Sequence, residues 1–310
     1  MISPKQNIPV SQENPPYSER KWKKTATISL VVFGVLIIGA SVLQYYSFAK
    51  IEAFFVHHID SAFLFMLAVG FFAQLVDGAL GMGYGVISTT LLLSGGLNPA
   101  VISGSIHTAE MFSSGASGFS HYKFGNVNKK LFKTLLIPGV LGAIAGAVLL
   151  GYAGDSYADY IKPIISAYTF VLGVRILSHA FKKEVKPKKI KRAGWLAGFG
   201  GFLDSFGGGG WGPIVTSTLI AKGKTPKYVI GSVSLTEFFV TMASALTFFI
   251  ILGVSHLGAI FGLIAGGLLA APIAARLTGK LPVKKMFIGV GIVVLISSIR
   301  ILWHSLHQFL

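Results

Sequence analysis

Two stretches decide how this chain is read: DGALGMGYG at residues 77–85 and DSFGGGGWG at residues 204–212. Each breaks an otherwise apolar segment, the first at 61–95 and the second at 194–221. The flanking pieces run roughly 10 to 17 residues, short of the ~20 that carry a helix across a bilayer. Each segment therefore reads as a hairpin of two half-helices with irregular backbone at its tip. The residues leave open whether a hairpin is re-entrant or makes two short crossings. Such backbone survives at membrane depth only inside protein or beside a water-filled cavity.

The rest of the chain fits this reading. Of 310 residues, 53% are apolar and 12% charged, about half the charge of an ordinary soluble domain. That excludes a disordered chain and argues against a soluble α/β enzyme. Cysteine is absent, so there is no disulfide framework, thiolate zinc site or cysteine nucleophile. Apolar runs at 99–120, 134–152, 160–181, 227–252, 257–275 and 285–303 are each long enough to span. Residues 1–24 read as a disordered basic cytoplasmic arm ending in Arg20, Lys21, Lys23 and Lys24. The apolar run at 25–46 exceeds the 7–15 residues of a signal-peptide core. Residues 25–48 thus read as an extra transmembrane helix, with cleavage at Ser47-Phe48-Ala49 as the alternative.

The broken segments belong to an internal repeat. Sliding the chain by 127 residues puts Asp77 on Asp204, Gly81 on Gly208, Gly83 on Gly210, Tyr84 on Trp211 and Gly85 on Gly212. The register continues through Pro99 on Pro226, Gly104 on Gly231, Ser105 on Ser232, Glu110 on Glu237 and Gly139 on Gly266. Aligned glycines arise easily by chance in such a sequence. Matching Asp and Glu pairs do not, because the chain has only 11 acidic residues.

Charge sets the orientation. Five places, namely the arm before residue 25 and segments 121–133, 182–192, 221–227 and 276–285, hold 23 of the 27 Lys and Arg. Segments 50–60 and 153–159 carry Glu52, Asp60, Asp155 and Asp159 instead. By the positive-inside rule the N-terminus is cytoplasmic and the C-terminus outside. The first hairpin enters from outside and the second from inside. The net charge of +16 is accounted for by topology, so it gives no support to nucleic-acid binding. The fold expected is an all-α polytopic membrane protein of two inverted repeats. Each repeat is a Gly-broken hairpin plus three transmembrane helices, and one extra N-terminal helix precedes them. Repeat 1 covers 60–181, a basic cytoplasmic linker 182–193, and repeat 2 194–304. Inverted repeats with broken helices are the architecture of secondary transporters, with the solute site near the midplane between repeats.

The residues also carry a family resemblance. LVDGALGMGYG followed by LNPAVISGSIHTAE, and FLDSFGGGGWGP followed by GKTPKYVIGSVSLTE, resemble the TauE/SafE sulfite exporter family of bacterial membrane proteins over roughly residues 60–305. The resemblance implies two related halves and transport of sulfite, an organosulfonate such as sulfoacetate, or a related small anion across the cytoplasmic membrane. It does not identify the anion.

An anion leaving water needs fixed donors. Backbone N–H groups at helix N-termini supply partial positive charge, and glycine lets backbone approach closely. Gly81, Gly83, Tyr84 and Gly85, with Gly208, Gly210, Trp211 and Gly212, therefore read as two anion cradles. Ser105, Thr108, Ser232 and Ser234 offer hydroxyl donors. The competing reading makes these glycines helix-packing residues.

Asp77, Glu110, Asp204 and Glu237 lie inside the apolar segments. Facing lipid, each would cost about 2.5–3.5 kcal/mol, so the four must face the interior. They read as proton sites or as caps of the broken helices. His107 lies one turn before Glu110, where it donates to the anion, titrates with Glu110 or is structural. Its counterpart is Ser234. No metal site is expected, because His-x-x-Glu supplies two ligands and no others are evident. No cofactor is called for. Two rival signals are set aside. Gly115-Ala116-Ser117-Gly118 matches an intramembrane serine protease motif but reads as small-residue helix packing. The glycine clusters lack the strands of a dinucleotide site. Driving force stays open between proton coupling and a voltage-driven uniporter for a sulfonate or carboxylate. A potential of 100 mV is worth about 2.3 kcal/mol per charge.

Overall fold

The structure is a computed structural model. It describes residues 60–80, 82–154, 156–181, 192–253, 257–277 and 283–309. The basic arm, the extra helix at 25–48, residues 182–191 of the linker, and Gly81 lie outside the described residues. The described part is all helical, apart from turns: α1 (Ser61–Leu80), α2 (Tyr84–Ser94), α3 (Pro99–Lys123), α4 (Lys129–Ala153), α5 (Ala158–His179), α6 (Ala193–Gly207), a π-helical turn (Gly212–Thr216), α7 (Ser217–Ala221), α8 (Pro226–Leu252), α9 (Leu257–Leu277) and α10 (Val283–Phe309).

Four helices are long and apolar enough to cross a membrane by length and composition: Lys129–Ala153, Ala158–His179, Lys227–Leu252 and Lys284–His307. α3 is as long, with 25 residues, but less apolar. Its polar side chains Ser103, Ser105, His107, Thr108, Glu110 and Ser114 are all buried. The outer surface of the bundle is apolar, with Ile137, Leu141, Val171, Ile250 and Ile296 exposed. A bundle that turns polar groups inward and apolar groups outward is built for lipid rather than water.

Both breaks fall where the sequence places them, but the first arm is longer than expected. α1 has 20 residues, about 30 Å at 1.5 Å per residue, although its apolar stretch is the shorter Ser61–Asp77. The helix runs three residues beyond Asp77, because nothing in Gly78-Ala79-Leu80 stops it. Gly83, with φ 125°, makes the turn into α2. At the second tip Gly208, Gly209 and Gly210 have φ of 70°, 155° and 151°, conformations that β-carbon-bearing residues rarely adopt. After it the chain resumes as a single π-helical turn, with Pro213 in its first positions.

Helix pairing has a regular pattern. The first arm of each hairpin lies against a helix of the other half, α1 on α9 and α6 on α4. Both pairs run parallel, and both are sealed by glycine. A β-carbon on Gly70 would meet the Leu263 backbone, and one on Gly266 the Leu67 backbone. Likewise one on Gly142 would meet the Gly198 backbone, and one on Gly146 the Phe202 backbone. Such backbone contact is the small-residue packing that holds helices together in lipid. Two further pairs, α3 with α8 and α5 with α10, run antiparallel. In the first of them Ser114 Oγ and Thr241 Oγ1 lie 3.5 Å apart across a separation of 127 residues.

The loops sort by end. Ser232 Oγ accepts from the Asn128 N–H at 2.8 Å, and Lys284 Nζ lies 4.9 Å from the Phe181 ring centre. At the opposite ends, Asn98 Nδ2 donates to the Gly154 carbonyl at 3.3 Å. Asn128 caps α4, its Oδ1 accepting from the N–H groups of Lys130 and Leu131 at 3.1 and 3.0 Å, as an Asn at this position does.

Candidate functional site

The two tips meet. A β-carbon on Gly85 would sit 2.5 Å from Gly209 Cα and 2.9 Å from the Gly208 carbonyl oxygen. Thr89 Oγ1, on α2, donates to the Gly208 carbonyl. Tyr84 and Trp211, counterparts in the repeat, are both almost fully buried. Trp211 covers α4 so closely that a β-carbon on Gly139 would lie 2.8 Å from its ring.

Each tip aspartate sits in the last turn of its first arm and reaches across the break. Asp204 Oδ1 accepts from the Trp211 N–H at 2.8 Å. The Asp77 carboxylate takes the Tyr84 N–H in the same relation. This places a carboxylate at the N-terminus of each second arm, where the helix dipole favours it.

Asp204 does more. Its backbone carbonyl accepts from the N–H groups of Gly208 and Gly209, and its Oδ2 lies 3.1 Å from His107 Nε2. The other ring nitrogen of His107, Nδ1, is 2.7 Å from the Ser103 carbonyl. Ser103 Oγ in turn donates to the Ser205 carbonyl at 2.6 Å. Glu110 is 7% exposed, and its Oε2 has no hydrogen-bond partner. Donor atoms of His107, Glu110 and Asp204 all lie within 4.8 Å of one another. The sequence expectation that His107 and Glu110 lack a third ligand is therefore corrected. The third group comes from the other half of the chain, 97 residues from His107, where local spacing does not reveal it. Glu237 and Asp77 complete a set of four carboxylates within electrostatic reach of one another.

The other expected site residues divide. Gly83 meets only ordinary contacts, Ile87 Cδ1 at 3.6 Å and Val76 Cγ1 at 3.8 Å. Gly208 faces Thr89, and Gly210 faces Tyr168, whose hydroxyl donates to the Gly209 carbonyl at 2.9 Å. Gly212 is buried as the first residue of the π turn. At the second tip, then, the N–H groups of Gly208, Gly209 and Trp211 are engaged by Asp204, and the glycines make room for neighbours. Thr108 Oγ1 donates to the Gly104 carbonyl at 2.7 Å. Ser232 binds the loop at Asn128 and donates to Tyr228 at 2.7 Å, away from the tips. Ser105 is buried and Ser234 half-buried.

Sequence reading passed over Ser103, Thr89 and Tyr168, and also Gln74 and Ser88. Gln74 Oε1 and Ser88 Oγ are buried without a partner. Ser103 was within reach of the sequence, standing one turn before His107 on the same helix face. Tyr168 carries no such signal. Arg175 binds the π turn: its Nε donates to the Pro213 carbonyl at 2.7 Å and to Ser217 Oγ at 3.1 Å. Ser117 lies on the outer face of α3, while Gly115 and Gly118 seat Phe238 and the Leu235 backbone.

An all-α bundle with apolar faces outward and a buried polar centre between two broken helices defines a polytopic membrane protein. The profile of the family described as "Sulfite exporter TauE/SafE" matches residues 66–301, and the chain belongs to that family. It is 41% identical over 244 residues, covering 76% of this chain and 80% of the other, to "Probable membrane transporter protein YtnM" of Bacillus subtilis (strain 168). No solved structure matches it. The protein is a membrane transporter.

Proposed function

We propose that the protein is a secondary transporter that exports a small sulfur-containing anion, sulfite or an organosulfonate such as sulfoacetate, across the cytoplasmic membrane. The family description supports the solute class. The observation that carries the mechanism is the contact of the two broken tips, Gly85 against Gly208 and Gly209, beside the buried carboxylates of Glu110 and Asp204 and the partly buried ones of Asp77 and Glu237. A solute between two abutting helix breaks is exposed to one side or the other by a small rocking of one half against its partner. The pairing of α1 with α9 and of α6 with α4, and the meeting of Ser114 with Thr241, support a two-fold relation between residues 60–181 and 194–304. The anion is held by the first turn of α2, at Gly83, Tyr84 and Gly85, with Ser105 and Thr108 nearby on α3. Proton uptake by Asp77 and Glu237 offsets the anion's charge. The basic loops lie in the cytoplasm and the C-terminus outside.

The test is flux into liposomes carrying the purified chain, over a panel of sulfite, sulfoacetate, sulfate, acetate and chloride, with pH gradient and voltage set independently. Saturable sulfite or sulfoacetate flux accelerated by a pH gradient is the expected result. Flux that follows voltage alone makes the protein a uniporter. Absence of flux for both sulfur anions, with another solute carried, overturns the reading.

A further inference from the structure

The buried pairing of His107 with Asp204 leaves a charge unaccounted for. The Ser103 carbonyl only accepts, so His107 Nδ1, 2.7 Å away, must carry a proton. Nε2 of neutral His107 is then a bare lone pair. It faces Asp204 Oδ2, another lone pair, at 3.1 Å. Two acceptors at that distance repel unless something positive joins them. Beside them the Glu110 carboxylate ends in an oxygen with no partner, in a side chain more than nine-tenths buried. Asp77 and Glu237 add negative charge within electrostatic reach.

We infer that His107 Nε2, Glu110 and Asp204 bind a divalent first-row transition-metal ion of the Zn2+ or Mn2+ kind. One imidazole and two carboxylates suit those ions, whereas Mg2+ and Ca2+ prefer oxygen alone. The ligands are already oriented from outside. The Ser103 carbonyl holds the far ring nitrogen of His107, which is the usual support for a metal-binding histidine. The Trp211 N–H holds the other oxygen of Asp204. Donors about 2.1 Å from one ion stand roughly 3.4 Å apart, and these lie within 4.8 Å. A modest side-chain closure completes the site. The two halves of the chain are then unequal, because Ser234 replaces the histidine in the second half. The ion also fastens α3 to the second tip and supplies fixed positive charge beside the breaks. The site stands whatever solute the protein carries.

The experiment uses the full chain purified in detergent without chelator. Elemental analysis gives the metal per chain. EDTA-stripped protein is then titrated calorimetrically with Zn2+, Mn2+ and Mg2+. One equivalent of Zn2+ or Mn2+ is expected, with Mg2+ binding far more weakly. Removing a direct ligand, as in Glu110→Gln or His107→Gln, is expected to weaken it by at least about 100-fold, beyond the 10–100-fold typical of an outer-shell partner. X-ray absorption on the unaltered chain covers the case in which a variant does not fold, and one imidazole among oxygen ligands is expected there. Substoichiometric metal, affinity unchanged in both variants, or a ligand shell of several imidazoles from surface histidines overturns the inference. In the first case a proton joins His107 to Asp204.

Discussion

Replacing Gly85 with alanine tests whether the two tips truly abut. The added methyl would stand 2.5 Å from Gly209 Cα and 2.9 Å from the Gly208 carbonyl oxygen. Carbon atoms at rest stay about 3.5–4.0 Å apart, so the tips must part by about 1 Å. Both obstacles are backbone, and neither can swing aside as a side chain would. Overpacking of this kind typically costs 1–3 kcal/mol. In a transporter the functional effect is larger than the effect on stability, because an error of about 1 Å in a positioned site can cost on the order of 100-fold in rate. We expect Gly85→Ala to reach the membrane, to melt a few degrees lower, and to lose at least tenfold in sulfite flux. Gly289→Ala, at a position with nothing within 4 Å of the new carbon, is the control and should match the parent in both. Melting by fluorescence-detected size exclusion and flux in liposomes read the two quantities. A Gly85→Ala protein with parental melting and parental flux would show that the tips do not touch.

Further outcomes follow from the same geometry. Single cysteines at Ser156, an exposed residue, should react with an impermeant thiol reagent from outside, and those at Lys129 and Lys224 should not. Labelling of Lys224→Cys from outside would reverse the second hairpin. Glu237→Gln keeps the shape of the side chain but cannot titrate. It should retain exchange of anion between two loaded sides while losing acceleration by a pH gradient, and unchanged pH-driven flux would remove Glu237 from the coupling. Ser117→Ala should leave flux intact, because Ser117 lies on the outer face of α3 with no catalytic partner assigned to it. Arg175→Gln removes the donors to the Pro213 carbonyl and Ser217. We expect it to lower thermal stability, by about 1–3 kcal/mol for the charged hydrogen bonds lost, and an unchanged melting profile would count against that bracing role.

The sequence makes some layers of this molecule visible and hides others for definite reasons. The breaks at Gly83 and at Gly208–Gly210 were legible because positive φ demands glycine, and runs of glycine beside an intramembrane aspartate stand out. The length of α1 was not, because hydropathy falls at Asp77 while the backbone hydrogen bonds of the helix continue to Leu80. That Glu110 and Asp204 face inward followed from the cost of charge in lipid. That Asp204 lies against His107 did not, since the two residues are in different halves and no periodicity links them. The glycines of the second tip were assigned to an anion on composition. The structure gives several of them a packing partner, Thr89 or Tyr168, and a side chain that fills space from a distant helix leaves no local signature.

The parallel pairing of each hairpin arm with a helix of the opposite half bears on how the protein is made. α1 ends at Leu80 and its partner α9 begins at Leu257, so about 180 residues are synthesised between them. At roughly 5–20 residues per second, α1 waits some 10 to 35 s in the bilayer before its partner exists. During that interval the bare face around Gly70 meets lipid, and Gln74 and Asp77 have no protein wall behind them. α6 faces no such delay, because α4 precedes it in the chain. The early half of the molecule is therefore the vulnerable one during insertion.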